Sequence, residues 1–87
     1  QKTVTPKMFN VLLLNDDYTT FEHVIFVLKT YFNKSMTEAT ELTLKIHMQG
    51  KAIVGTYAKD IANSKVKKVE SASRAAGFPL KAITEEV

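Results

Sequence analysis

The chain has 87 residues, 45% apolar and 24% charged, with 12 Lys and Arg against 9 Asp and Glu for a net charge of +3. That length makes one small domain, and the composition is that of a folded chain rather than a disordered one. The absence of cysteine excludes a disulfide scaffold and a thiolate metal centre; no apolar run approaches the ~20 residues that cross a bilayer, and the positive charge is too small and too interspersed for a nucleic-acid footprint.

Gln1–Lys7 reads as a free segment without an apolar run of signal-peptide type. Met8–Leu14 is apolar and free of turn residues except Asn10, which predicts a strand ending at the turn cluster Asn15-Asp16-Asp17. Thr19 and Glu22 have the spacing of a capping box, with Thr19 as N-cap. Beyond it Phe21, Val24, Ile25, Leu28, Tyr31 and Phe32 form the stripe of an amphipathic helix, and Asn33 suits a left-handed end. Here His23 falls outside the apolar stripe.

A second capping box, Ser35 to Glu38, opens a helix with Ala39, Leu42, Thr43, Ile46 and His47 on one stripe and Gly50 at its end. Lys51–Tyr57 predicts a strand, with Gly55 marking a bulge or a close backbone contact. A third helix follows from about Lys59 to Ala76, with Ala62, Val66, Val69, Ala72 and Ala76 inward; Gly77 and Pro79 end it. Lys81–Glu85 reads as a weak last strand. The order β-α-α-β-α-β predicts an α+β sandwich, a three-stranded antiparallel sheet packed with three helices, with 8–87 as the core domain.

Asn15, Asp16 and Asp17 at a strand end are ordinary turn formers, but two carboxylates and an amide also make a mouth for a cation. His47 sits at the rim of an apolar stripe, beside Thr43 and Ile46. An imidazole there suits a ligand with one charged and one apolar end. His23, His47, Asp16 and Asp17 could supply metal ligands, but their spacing matches no standard metal motif. No serine lies in a nucleophile elbow, and three glycines form no phosphate loop. Most of the aromatics fit core positions, and they form no evident stacking row beside basic residues.

At Asn15-Asp16-Asp17-Tyr18-Thr19 the sequence resembles the ClpS adaptor family. The likeness extends through the preceding Leu12-Leu13-Leu14 and through Leu28–Asn33, Ala39-Thr40, Leu42 and His47. It continues in Gln49–Ile53, Gly55, Lys65-Val66, Ala72, Arg74 and Pro79-Leu80, covering about residues 8 to 87. A single Asn-Asp-Asp triplet is weak; this ordered set is specific.

The resemblance implies a non-catalytic, cofactor-free adaptor, working as a monomer in the bacterial cytoplasm (or, less in keeping with the pattern, a plastid stroma). It implies capture of N-degrons, proteins with a free first residue Phe, Tyr, Trp or Leu, and their delivery to the N-terminal domain of a ClpA-type or ClpC-type unfoldase for degradation by ClpP. By position, Asn15, Asp16, Asp17 and His47 would surround the α-amino group. Leu14, Thr19, Phe21, Val24, Thr43, Ile46 and Leu80 would line or gate the side-chain pocket. Asp60 and Lys65 would meet the unfoldase. No metal, nucleic acid or membrane is implied.

Physical chemistry agrees with that assignment. A free α-amino group is largely a cation at pH 7 and offers three donors. Each charge-assisted hydrogen bond contributes roughly 1.5–3 kcal/mol, and burial of one large side chain a similar amount. Less the entropic costs, this gives an affinity of micromolar order. An imidazole acceptor must be neutral, so binding through one weakens as pH falls below about 6.5.

The chain departs from the family at several positions. Thr20 stands where Pro is usual, and Phe21 and Thr43 where the family has pliant Met. A reshaped pocket with altered ranking of Phe, Tyr, Trp and Leu follows, with the Thr43 hydroxyl favouring Tyr. Ala58 replaces a capping Thr at the start of the third helix, and Asp60 replaces Glu. The competing reading is an interaction domain on the same scaffold that has lost N-degron binding; nucleic-acid binding and catalysis rank behind it.

Overall fold

The computed structural model describes residues 7–87; the segment 1–7 predicted to be free lies outside them except for Lys7, which pairs with Glu86 at 3.6 Å. The elements are β1 (Met8–Leu14), α1 (Phe21–Tyr31), α2 (Met36–Gln49), β2 (Lys51–Ala58), α3 (Lys59–Ala75) and β3 (Lys81–Glu86). This is the predicted order and class.

The sheet order is β2-β1-β3, antiparallel throughout. β1 is central, and its run Val11-Leu12-Leu13 is buried on both faces. Val11 and Leu13 face the helices and are fully buried. Leu12 points the other way, directly opposite Ile53 on β2 and Ile83 on β3, and those neighbours cover it. The helix-facing core joins Ala52, Val54 and Ala82 of the sheet to Val24, Val27, Leu28, Ala39, Ile46, Ala62 and Val69 of the helices. Each large side chain buried there stabilises by roughly 1.5–3 kcal/mol.

Gly55 marks a bulge, as its place in the strand predicted. Val11 pairs with Gly55 but Leu12 with Ile53, so Val54 is the extra residue. The extra residue inverts the alternation and turns Tyr57 toward Phe32 in the helix layer, their rings 6.4 Å apart. A Cβ at Gly55 would lie 2.6 Å from Cε2 of Tyr57, so any other residue there must displace the Tyr57 ring.

The helix ends follow the sequence with one correction. Ser35 and Glu38 form a reciprocal capping box, and Gly50 ends α2 in the left-handed region at φ 88°. Asn33 takes φ 54° after α1, and Gly77 φ 86° after α3. The N-cap of α1, however, is Thr20, not Thr19: its Oγ1 accepts from the His23 amide at 3.2 Å. Thr19 is already engaged by Asp16, and with the cap shifted by one residue Glu22 no longer stands at the box position. α3 begins at Ala58 with no side-chain cap, as its sequence predicted.

Two inward–outward expectations are also revised. Ala76, expected inside, is exposed because the helix has ended; Ser73 is fully buried in its stead. His23, expected off the buried face, is 8% exposed, and its Nε2 meets Ser73 Oγ at 2.8 Å. Each is the other's polar partner, so neither is a buried orphan.

Candidate functional site

At the C-terminal end of β1 the chain must leave the sheet and enter α1. The Asn15 amide donates to the Gly50 carbonyl at 2.8 Å, fixing this exit to the end of α2. Asp16 then organises the turn. Its Oδ1 accepts from the amides of Tyr18 and Thr19 at 2.8 and 2.7 Å, and its Oδ2 from the Thr19 hydroxyl at 2.7 Å. Partial burial opposes ionisation of this carboxyl, but those hydrogen bonds, with the Arg74 charge, hold it below its ordinary value. Asp16 is therefore the strut of the loop, while Asn15 and Asp17 stand exposed beside it.

This loop closes one side of a cavity of about 230 Å³. Leu14, Asn15, Asp16, Asp17 and Thr19 line it from β1 and the turn. Phe21 and Val24 come from α1, Thr43, Ile46 and His47 from α2, and Leu80 from the segment before β3. All eleven residues placed by resemblance at the amino group and the side-chain pocket are thus on one cavity wall. The polar groups cluster where β1 ends; Val24, Ile46 and Leu80 are buried and apolar.

Two of the departures from the family pattern, Phe21 and Thr43, are in this wall. Phe21 is 41% exposed at the rim rather than part of the buried stripe, and its ring meets His47 edge to face, with centroids 5.2 Å apart at 69°. That contact is apolar support for the imidazole. Thr43 is 3% exposed, and its hydroxyl donates to the Ala39 carbonyl one turn back at 2.7 Å. Its proton is engaged, so toward a ligand the oxygen can only accept.

Asp60 and Lys65 are not part of this cavity. They line a separate shallow depression on α3 with Ile61, Ser64 and Lys68. Lys65 is half-buried: its ammonium donates to the Tyr31 carbonyl at the end of α1 and lies 5.8 and 5.4 Å from the Phe32 and Tyr57 rings. Asp60, in the first turn of α3, is exposed. His23, proposed above as a possible metal ligand, is held by Ser73 and does not line the cavity with Asp16, Asp17 and His47. Among the described residues, no three His, Asp or Glu side chains are placed to hold a metal ion. Nor is any helix long and apolar enough to cross a membrane.

Sequence reading missed Arg74 as a neighbour of the cavity. Its Nη1 donates to the Phe78 and Leu80 carbonyls at 3.0 and 2.9 Å. The one available signal was its place three residues before Gly77, where a cation meets the last carbonyls of a helix.

Comparison with known proteins agrees with this architecture. A relative from Variovorax paradoxus, named ATP-dependent Clp protease adapter protein ClpS, is 47% identical over 87 residues, covering 100% of this chain and 73% of its own length. One of the same name from Nautilia profundicola is 50% identical over 84 residues, covering 97% of this chain and 87% of its own. The solved structure of Agrobacterium tumefaciens ClpS2 bound to L-phenylalaninamide superposes with a TM-score of 0.92 at 40% identity, covering 95% of this chain and 100% of that one. Residues 4–83 match the sequence profile of the family described as ATP-dependent Clp protease adaptor protein ClpS. The chain belongs to the ClpS family of Clp protease adaptors.

Proposed function

We propose that this chain is a non-catalytic adaptor that binds the free α-amino group and bulky apolar first residue of N-degron proteins. The observation that carries the reading is one cavity lined both by the polar Asn15, Asp17 and His47 and by the buried apolar Val24, Ile46 and Leu80. An ammonium needs acceptors and a large side chain needs apolar walls; this cavity's lining offers both. The ligand of the A. tumefaciens relative, L-phenylalaninamide, has that combination: a free amine, an aromatic side chain and a capped carboxyl.

In this reading Asn15, Asp17 and His47 accept from the ammonium, with Asp16 holding the Asn15–Asp17 turn and adding its charge. Leu14, Thr19, Phe21, Val24, Thr43, Ile46 and Leu80 enclose a Phe, Tyr, Trp or Leu side chain. The captured protein passes to a ClpA-type or ClpC-type unfoldase for degradation by ClpP in the bacterial cytoplasm. Asp60 on α3 is the exposed member of the pair assigned to that contact. Lys65 serves it by shaping the α3 surface, since its own ammonium is turned inward.

Fluorescence anisotropy of labelled peptides beginning with Phe, Tyr, Trp or Leu tests the reading, with N-acetylated and Val-initiated peptides as controls. Saturable binding of micromolar order, abolished by acetylation, is expected. Equal binding of free and acetylated peptides, or none of either, would overturn it.

A further inference from the structure

The cavity joins distant parts of the chain. Besides α1 and α2, they include the Asn15–Thr19 loop and the short segment Phe78–Leu80, whose Leu80 is 1% exposed and forms a wall. Phe78 and Pro79 precede β3 and belong to no helix or strand, so the segment's carbonyls need donors from elsewhere. Arg74 supplies them: one guanidinium nitrogen bridges the Phe78 and Leu80 carbonyls. The same cation acts on Asp16, the carboxylate that organises the opposite loop.

We propose that Arg74 is a positioning residue for the cavity, holding the Phe78–Leu80 segment, and with it the Leu80 wall, in register with the Asp16 loop. The guanidinium needs no contact with ligand to do this. Lysine is a poorer substitute, because its ammonium, though it carries three N–H groups, sits on a flexible stem without the fixed planar direction of the two N–H groups of that guanidinium nitrogen. Glutamine keeps amide donors but removes the charge that favours ionised Asp16. Asp17 from the same loop and His47 from α2 share the cavity and are present in the unaltered chain and in both variants, so the comparison is of the difference between profiles.

The proposal rests on the N-degron reading, and the test separates the two. Arg74→Lys and Arg74→Gln are compared with the unaltered chain using a labelled Phe-initiated peptide from pH 7.5 to 4, with L-phenylalaninamide as competitor and thermal melts as the check on folding. Both variants are expected to fold, and to bind the Phe peptide about tenfold more weakly at pH 7.5. Only in Arg74→Gln is the loss of binding on acidification displaced to higher pH, because Asp16 then protonates more readily. If the unaltered chain binds no Phe peptide, the N-degron reading falls and this proposal with it. If it binds and both variants match it in affinity and profile, Arg74 does not position the cavity and only the proposal falls. Loss of cooperative melting in Arg74→Lys would also overturn it, by making Arg74 a requirement of the whole fold.

Discussion

His23 Nε2 and Ser73 Oγ lie 2.8 Å apart and tie α1 to α3, with the Phe78 ring 4.8 Å from the imidazole on one side. Burial pushes this imidazole below its ordinary value of 6.5. The folded state then disfavours the protonated ring relative to the unfolded chain. The resulting stability is complete above about pH 6.5 and is lost as pH falls below it toward the folded-state value. Urea melts at pH 7.5 and pH 5.5 are expected to show that loss, and His23→Phe to flatten it. An equally steep decline in His23→Phe would place the acid sensitivity elsewhere.

The same pair predicts a non-additive mutant cycle. Ser73→Ala leaves a buried imidazole nitrogen without its partner, and His23→Phe leaves a buried hydroxyl without one. Each single change costs about 1–3 kcal/mol, whereas the double replacement by apolar groups approaches neutrality. Strict additivity in denaturant melts would show that the contact contributes nothing.

The N-degron reading makes Thr43 the position that sets first-residue preference. Its hydroxyl donates to Ala39, which leaves a buried acceptor that a phenolic O–H can use and a phenyl ring cannot. Tyr-initiated peptides are expected to bind better than Phe-initiated ones. Thr43→Val should remove that advantage, a change of about 2–10-fold, and leave the Phe affinity in place. Thr43→Met should reorder all four residues; an unchanged ranking in competition anisotropy would remove Thr43 from the account.

α3 starts without a side-chain cap, and Ala58 has the extended backbone of a cap residue, with φ −60° and ψ 156°. Ala58→Ser or Ala58→Asp should therefore stabilise by about 1 kcal/mol. In a domain of this size that raises the melting temperature by roughly 4–8 °C. No shift in calorimetry would mean that the new side chain fails to reach the first amides of α3.

Two glycines separate conformational from steric cost. Gly50 sits at φ 88° with nothing near its absent Cβ, so Gly50→Ala should cost about 1–2 kcal/mol for the left-handed backbone alone. Gly55 has an ordinary backbone but faces the Tyr57 ring. Gly55→Ala should cost more, and combining it with Tyr57→Ala should recover part of the loss. Equal costs for the two glycines would argue against the steric reading of the bulge.

Much of this molecule was legible in its sequence. The strand Met8–Leu14, the two helical stripes, the Ser35 capping box and the Gly50 and Gly77 stops depend on periodicity and on backbone preferences that act within a few residues. The fold class followed from their order. The cavity-lining set was reached by resemblance, since Asn15 and Leu80 are 65 positions apart and no local pattern joins them.

Tertiary structure alone decided how polar groups pair over long distances. Thr19 gave up the cap of α1 to Thr20 because Asp16 binds it more fully than a helix end could. His23 looked like a surface residue until Ser73, fifty positions away, supplied its partner. Lys65 and Arg74 are helix cations, and each is anchored to a carbonyl outside its own helix. Local sequence fixes which elements form because their hydrogen bonds are short-range. It cannot fix which buried donor meets which acceptor, because that depends on how the finished elements pack.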